Sequence, residues 1–139
     1  MRTRPHDQLE VYRLAHGLAL RVHALSLRLA RIEAYEEATQ IRRSSKSVAA
    51  QIVEGHALRR YKAEYVHYLS RAYGSAEETI EHLRFVLDTR SADAVRAECD
   101  DLLEQYDQFT RKLFNYLQAV KTHHDPERAS QAVKTDPEP

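Results

Sequence analysis

Several side chains of this sequence have the types and spacing that metal-binding helical bundles use. Glu64 and His67 form a Glu-x-x-His pair, the spacing with which di-iron bundles bind their metals from one helix. Glu78, Glu81 and His82 lie further along the same predicted helix. His67, however, lies roughly 190° around that helix from the centre of its apolar positions, so its imidazole faces away from the core. We therefore expect no metal ion and no cofactor on this helix.

The sequence also lacks the motifs of nucleophilic and phosphate chemistry. It has no glycine-rich phosphate loop, no Gly-x-Ser-x-Gly and no His-Glu-x-x-His. The single cysteine, Cys99, falls among the apolar positions of the last predicted helix, which favours a small buried hydrophobic side chain over a nucleophile. His123 and His124 fall in a predicted tail that cannot preorganise metal ligands. We therefore expect no enzyme activity, no catalytic residues and no small-molecule substrate.

Charge is unevenly distributed, although 21 basic residues balance 21 acidic ones. Between residues 42 and 62 the only acid is Glu54, and there are six cationic side chains: Arg42, Arg43, Lys46, Arg59, Arg60 and Lys62. Residues 93–107 contain one cation, Arg96, and six acids: Asp93, Glu98, Asp100, Asp101, Glu104 and Asp107. Three interpretations remain open: solvated faces with pairs inside the chain, attraction between copies, and contact of the six cations with RNA or DNA phosphates.

Four tyrosines lie around the third predicted helix: Tyr61, Tyr65, Tyr68 and Tyr73. Tyr61 and Tyr68 lie near the cations and could stack on nucleic-acid bases. Tyrosine is also frequent at protein interfaces, because it combines apolar area with a hydroxyl group. On a bundle helix we favour the protein interface.

Apolar periodicity predicts the elements that position these residues. Asp7 and Glu10 form a capping box that starts the first helix. Its apolar positions recur at three- and four-residue steps: Leu9, Tyr12, His16, Ala19, Val22, Leu25, Leu29 and Ile32. A second helix has Ala38, Ile41, Ser45, Val48 and Ile52. The two sets point about half a turn apart at 100° per residue, so we place a turn at residues 31–35.

Two further helices complete the predicted fold. We expect Gly55 to end the second helix with a left-handed backbone. The third helix has Tyr65, Leu69, Ala72, Ala76, Ile80, Leu83 and Leu87, and its small residues 74–76 favour close helix packing over a ligand contact. A break at residues 88–90 follows, with Ser91 as N-cap. The fourth helix has an alternating four- and three-residue spacing typical of bundle packing: Val95, Cys99, Leu102, Tyr106, Phe109, Leu113, Tyr116 and Val120.

The sequence therefore predicts an all-α protein, an up-and-down antiparallel four-helix bundle over residues 1–121, with a flexible polar tail over residues 122–139. No apolar run reaches about 18 residues, so we expect no membrane association and a cytoplasmic location.

The segment 40–55 reads Gln-Ile-Arg-Arg-Ser-Ser-Lys-Ser-Val-Ala-Ala-Gln-Ile-Val-Glu-Gly. It resembles the signature Q-I-R-R-A-x-x-S-I-P-x-N-I-A-E-G of the small proteins encoded in intervening sequences of bacterial 23S ribosomal RNA genes. The resemblance covers residues 7–120 and includes the helix opening at residues 9–12 and an A-x-G-S motif at residues 72–75. Ala49 stands where the family often has proline, and Gln51 where it often has asparagine.

The resemblance implies a left-handed bundle that assembles into a ring-like homopentamer, with no established enzyme activity. The family's motif residues fall here on Gln40, Arg42, Arg43, Ser47, Glu54 and Gly55. For Gln40, Ser47, Glu54 and Gly55 we expect structural duties, and Glu54 is expected to pair with an arginine of the loop or of a neighbouring subunit. A more distant relation, the accessory variability determinant proteins of diversity-generating retroelements, associates with a reverse transcriptase and nucleic acid.

We therefore expect a non-catalytic oligomeric bundle that acts as a scaffold or interaction module. The alternative is an RNA- or DNA-binding accessory protein that uses the basic patch where the second and third helices connect.

Overall fold

Four helices make up the computed structural model of the protein, which describes residues 2–30 and 36–125. They are α1 (Glu10–Ser26), α2 (Glu37–Ala57), α3 (Lys62–Asp88) and α4 (Arg96–His123). Short 3-10 turns at Pro5–Gln8 and Asp93–Val95 precede α1 and α4. The described residues form no strand, and the predicted all-α four-helix bundle is confirmed.

The helices pack in the order in which they follow one another, and α4 closes the bundle against α1. Contacts between α1 and α4 join the start of one helix to the end of the other. Glu10 at the start of α1 contacts Lys112 late in α4, whereas Arg28, just after α1, contacts Glu98 at the start of α4. The bundle is therefore antiparallel, and the residues at either end of it come from all four helices.

The core of α2 lies where periodicity places it. Its five predicted apolar positions are all at most 1% exposed: Ala38, Ile41, Ser45, Val48 and Ile52. In the first half of α1 the prediction is wrong at His16, which is exposed, and it misses the buried Val11, Ala15 and Leu18. Leu9 and Tyr12 are partly buried and pack against the core. The core face of that half is one residue out of register with the predicted one.

Helix starts differ from the prediction. Asp7 does not cap α1: its carboxylate accepts the backbone N–H of Arg4 in the preceding 3-10 turn, and α1 begins at Glu10. Ser91 does not cap α4, which begins at Arg96 after a further 3-10 turn.

Gly55 does not end α2 in a left-handed conformation. No glycine of the described residues has positive φ, and α2 continues through Gly55 to Ala57. A Cβ on Gly55 would lie 3.0 Å from the Cβ of Tyr68 and 3.3 Å from the Cδ1 of Tyr65. Gly55 is therefore needed for the close approach of α3 to α2 rather than for a turn.

The left-handed position lies instead at Arg90, with φ of 62°. Behind it, the N–H of Ser91 donates to the carbonyl of Val86 and the N–H of Arg90 donates to that of Leu87. This pair of bonds is a Schellman motif, which satisfies the last carbonyls of a helix. The predicted break at residues 88–90 is thus confirmed, with arginine at the position that glycine usually occupies.

The predicted turn at residues 31–35 lies outside the described residues, although α1 and α2 are separate helices on either side of it. At the other end of the chain, α4 continues to His123, beyond the predicted domain boundary at residue 121. Residues 126–139 also lie outside the description, so the flexible tail stays a prediction, as does the handedness of the bundle. None of the helices found in residues 2–30 and 36–125 is long and apolar enough to cross a membrane.

Candidate interaction surfaces

The six cations of residues 42–62 fall into two groups along α2. Arg42, Arg43 and Lys46 lie in its first half, and about 16 Å of helix separates Lys46 from the helix end. Arg59 and Arg60 lie beyond that end, in the connection to α3, and Lys62 is the first residue of α3. The structure brings together the residues of each group and keeps the two groups apart.

Arg42 and Arg59 make contacts within the chain. The guanidinium of Arg42 donates to the Ser26 hydroxyl at 2.8 Å. That of Arg59 donates to the carbonyl of His56 at 2.8 Å and lies 3.3 Å from its Nδ1. By contrast, Arg43, Lys46 and Lys62 have no ion-pair partner among the residues that the structure describes, and Arg60 packs on the ring of Tyr61 at 5.3 Å. Arg43, Lys46, Arg60 and Lys62 are therefore free to meet a partner.

One end of the bundle, which we call the connection end, holds the 58–61 connection, the start of α1 and the end of α4. His124 is not part of a loose tail, because its Nε2 donates to the carbonyl of Arg59 at 2.6 Å and its ring packs 5.2 Å from that of Tyr65. The Tyr65 hydroxyl is in turn hydrogen-bonded to that of Tyr116. The end of α4 is therefore fixed against the basic connection.

The connection end also gathers cations that sequence analysis missed. Lys121 and His123 lie in the last turn of α4. Basic residues are common in the last turn of a helix, where they face the negative end of its dipole. That signal was present in the sequence, but the predicted bundle ends at Lys121 and His123 was assigned to the tail.

His56 is a titratable group of the connection end whose pKa this environment shifts. Burial lowers its pKa to about 4, and the nearby Arg59, His6 and His124 contribute in the same direction. Because Arg59 donates to Nδ1, the neutral imidazole carries its proton on Nε2. Protonation of Nδ1 would break that bond and place two cations in contact.

The other motif residues are divided between core and surface. Gly55 is buried against α3, Ser47 is half-buried, and Gln40 is exposed. Glu54 is exposed and has no ion-pair partner within the described part of the chain. Its predicted pairing with a loop arginine is not formed inside the chain, and a pairing with a neighbouring subunit stays a prediction.

The tyrosines of α3 do not share one surface. Tyr65 is in the core, which increases its pKa through burial, whereas Tyr68 and Tyr73 are half-buried and Tyr61 is exposed. Only Tyr61, Tyr68 and Tyr73 therefore present ring area to a partner.

The acidic segment pairs with α1 rather than with the basic residues of α2. Asp101 accepts from Arg21 at 2.7 Å, and Glu98 accepts from Arg28 at 3.1 Å. The interpretation that these charges pair inside the chain is thus partly confirmed. Asp100, Glu104 and Asp107 stay exposed, with no ion-pair partner in residues 2–30 and 36–125.

Cys99 is fully buried, and burial raises the pKa of its thiol to about 11, as expected of a small core side chain. His67 is exposed, as its helical position predicts. His82 lies 2.7 Å from a Glu37 carboxylate oxygen and 3.4 Å from one of Glu78. Within the described residues, no three His, Cys, Asp or Glu side chains are grouped so as to hold a metal ion.

The outer face of α1 carries an apolar row that the sequence analysis missed, which we call the α1 stripe: Gly17, Leu20, Ala24 and Leu27. All four residues are exposed, Leu20 by 60% and Leu27 by 70%. Their three- and four-residue spacing places them on one side of the helix, opposite the core. The signal was therefore present in the sequence as a second apolar period in the same segment.

A second apolar surface lies between α3 and α4, which we call the α3–α4 groove. It is an open groove of about 400 Å³ lined by Tyr73, Thr110, Arg111, Phe114 and Asn115. The rings of Tyr73 and Phe114 lie 6.1 Å apart, and Phe114 is 45% exposed. Phe114 escaped the sequence analysis because it lies one residue after the apolar position Leu113.

Residues 7–115, most of the chain, match the sequence family described as 23S rRNA-intervening sequence protein. No match was found among curated proteins.

Proposed function

The chain belongs to the 23S rRNA-intervening sequence protein family, and from this premise we propose that it is a non-catalytic oligomeric bundle, a ring-like homopentamer, that acts as a scaffold or interaction module. The number of subunits is carried over from the family resemblance. The outer face of a bundle helix is usually polar, and here α1 exposes Leu20 and Leu27 on it. This exposed apolar row is the observation that carries the proposal, because contiguous exposed apolar surface marks interaction sites.

Light scattering on the purified full chain tests the association. We expect a mass of five times the 16.1 kDa of one chain at tens of micromolar, unchanged on dilution to a few micromolar. A mass of one chain at tens of micromolar would overturn the proposal. Another stable multiple would keep the oligomeric bundle and correct the number of subunits.

A second candidate function is RNA or DNA binding at the connection end. It is supported by Arg60 and Tyr61 of the connection and by Lys62, the first residue of α3. These residues follow one another in the chain, and the guanidinium of Arg60 stacks on the exposed ring of Tyr61. Arginine and tyrosine together provide phosphate contact and base stacking, the two elements of sequence-tolerant binding to single strands. A ring would repeat this patch and multiply weak contacts.

Salt-dependent binding to a single-stranded RNA oligomer tests the second candidate. We expect affinity to fall steeply with salt, and the double variant Arg60→Ala/Lys62→Ala to lower the slope of log K against log salt by about 1 per lost contact. Arg71→Ala/Arg84→Ala, which removes two exposed arginines of α3, is the matched control. Binding that ignores salt, or that is weakened equally by both double variants, would contradict phosphate contact at this connection.

A further inference from the structure

We propose that the α1 stripe of one copy seats in the α3–α4 groove of a second copy, so that identical chains join through unlike surfaces. This inference rests on the proposed function, because it assigns the surfaces through which the chain associates with itself.

The shapes of the two surfaces correspond. The α1 stripe alternates small and large residues, and a Cβ on Gly17 would have no heavy atom within 4 Å, so a partner helix can approach the backbone of α1 there. The α3–α4 groove is open to solvent, with the rings of Tyr73 and Phe114 in its lining. Leucine side chains projecting from a helix fill such a groove by packing between ridges of side chains.

Charges around the two surfaces are complementary. From Val11 to Ala30 the chain contains three arginines and no acid. Arg21 and Arg28 are already paired with Asp101 and Glu98, whereas Arg13, four residues before Gly17 of the stripe, has no ion-pair partner among the described residues. Beside the groove, Glu77 lies one turn from Tyr73 on α3, and Asp107 lies one turn from Arg111 on α4, so two acids flank a lining that contains one cation, Arg111. Because α3 and α4 are antiparallel, these two acids lie on the same side of the ring pair, and they have no ion-pair partner among the described residues.

Pairing of like surfaces is less favourable for the same electrostatic reason. Two α1 stripes packed against each other would leave Arg13 of both copies without an acid, and two grooves would bring the unpaired Glu77 and Asp107 of both copies together. Like charges across an interface are unfavourable, whereas opposite ones guide association. The apolar stripe with Arg13 at its end therefore fits the groove better than it fits itself.

Both surfaces can be occupied at once. In the packing order of the bundle α1 neighbours α2 and α4, so its outer face points away from the side formed by α3 and α4. One copy can thus hold a neighbour in its groove while its α1 stripe seats in another. Such a head-to-tail contact forms a closed ring where its rotation closes and a filament where it does not.

Three variants test the pairing by their mass in light scattering. Leu20→Glu/Leu27→Glu breaks the stripe and Phe114→Glu breaks the groove. Phe85→Glu changes a residue of similar exposure, 47%, on α3 away from both surfaces. All changed residues are substantially exposed, so we expect far-ultraviolet circular dichroism and thermal unfolding to show folded helices. We expect the stripe and groove variants each to have the mass of one chain, and Phe85→Glu to keep the mass of the parent.

Mixing the stripe and groove variants gives the decisive result. The mixture retains one intact stripe and one intact groove, so at hundreds of micromolar we expect a heterodimer of two chains and no larger species. If the groove variant alone keeps the parent mass, or if the mixture contains only single chains, the pairing is overturned. A parent chain that is itself monomeric contradicts the proposed function, and the two failures are therefore distinguishable.

Discussion

Tyr106 on α4 has the one buried side-chain polar atom of the described residues that lacks a hydrogen-bond partner. A buried hydroxyl without a partner loses its hydrogen bonds to water and receives nothing in exchange. Burial also raises the pKa of Tyr106 well above its usual range, so the phenol stays protonated.

We predict that Tyr106→Phe raises the free energy of unfolding by about 1 kcal/mol, because it removes the unsatisfied hydroxyl and keeps the ring. Chemical denaturation at neutral pH measures it. Tyr65→Phe is the matched control, since the Tyr65 hydroxyl is bonded to that of Tyr116 and its loss should lower the free energy of unfolding by about 1 kcal/mol. A Tyr106→Phe variant less stable than the parent would show that its hydroxyl has a partner.

Arg90 adopts a left-handed backbone that costs an L residue about 1 kcal/mol relative to glycine. We therefore predict that Arg90→Gly stabilises the protein by up to about 1 kcal/mol. Arg90→Ala is the control, because it keeps the Cβ and removes only the exposed ion pair with Asp93, so its stability should stay within about 0.5 kcal/mol of the parent. Equal effects of Gly and Ala would indicate that φ at this position relaxes.

At the scale of elements, the approach of α3 to α2 depends on Gly55. We predict that Gly55→Val lowers the free energy of unfolding by about 1–3 kcal/mol, because its side chain would overlap Tyr68 and Tyr65 and push the helices apart. Gly74→Ala is the matched control: a Cβ there meets nothing within 4 Å, so better helix propensity should raise stability by about 0.5–1 kcal/mol. A Gly55→Val variant as stable as the parent would mean that α3 shifts without cost.

The helices could be predicted from the sequence because α2, α3 and α4 each have one dominant apolar period. In α1 two periods coexist, the core row and the α1 stripe, and this is why the prediction for its first half was wrong at His16. Gly55 was misread for a different reason. A glycine that permits close packing and a glycine that ends a helix look alike until the neighbouring helix is in place.

The candidate surfaces were less predictable than the helices. A net charge over residues 42–62 ignores the helix that separates Lys46 from the connection, and so the two groups of cations looked like one patch. The groove depends on residues from α3 and α4 that are far apart in sequence, Tyr73 and Phe114, and no local pattern joins them.

At the scale of the whole molecule, the connection end makes stability depend on pH. The pKa of His56 is about 4 in the folded chain and near 6.5 when unfolded. The unfolded state therefore binds more protons between these values, so stability is full above about pH 6.5 and declines as the pH falls towards 4. His6, Arg59 and His124, which come from different parts of the chain, meet His56 there.

We predict that the denaturant concentration at the unfolding midpoint of the parent decreases as the pH is lowered from 7 to 4.5. His56→Asn should make this decrease shallower, because the asparagine side chain accepts a hydrogen bond from Arg59 without titrating. His67→Asn, at an exposed histidine, should leave the slope as it is. A His56→Asn variant with the slope of the parent would assign the pH dependence to other groups.

The ion pairs between α1 and α4 have a consequence for the order in which the bundle forms and opens. They join residues 70, 80 and 102 positions apart, whereas the hydrogen bonds between α2 and α3 join residues 24 to 45 apart. Closing a longer loop costs more chain entropy, so we expect the contacts between α1 and α4 to form last, after those between helices adjacent in the chain, such as the Arg42–Ser26 bond across 16 positions. Salt screens exposed pairs of this kind. Hydrogen–deuterium exchange should therefore find the amides of α1 and α4 protected less than those of α2 and α3, and less still as salt is raised.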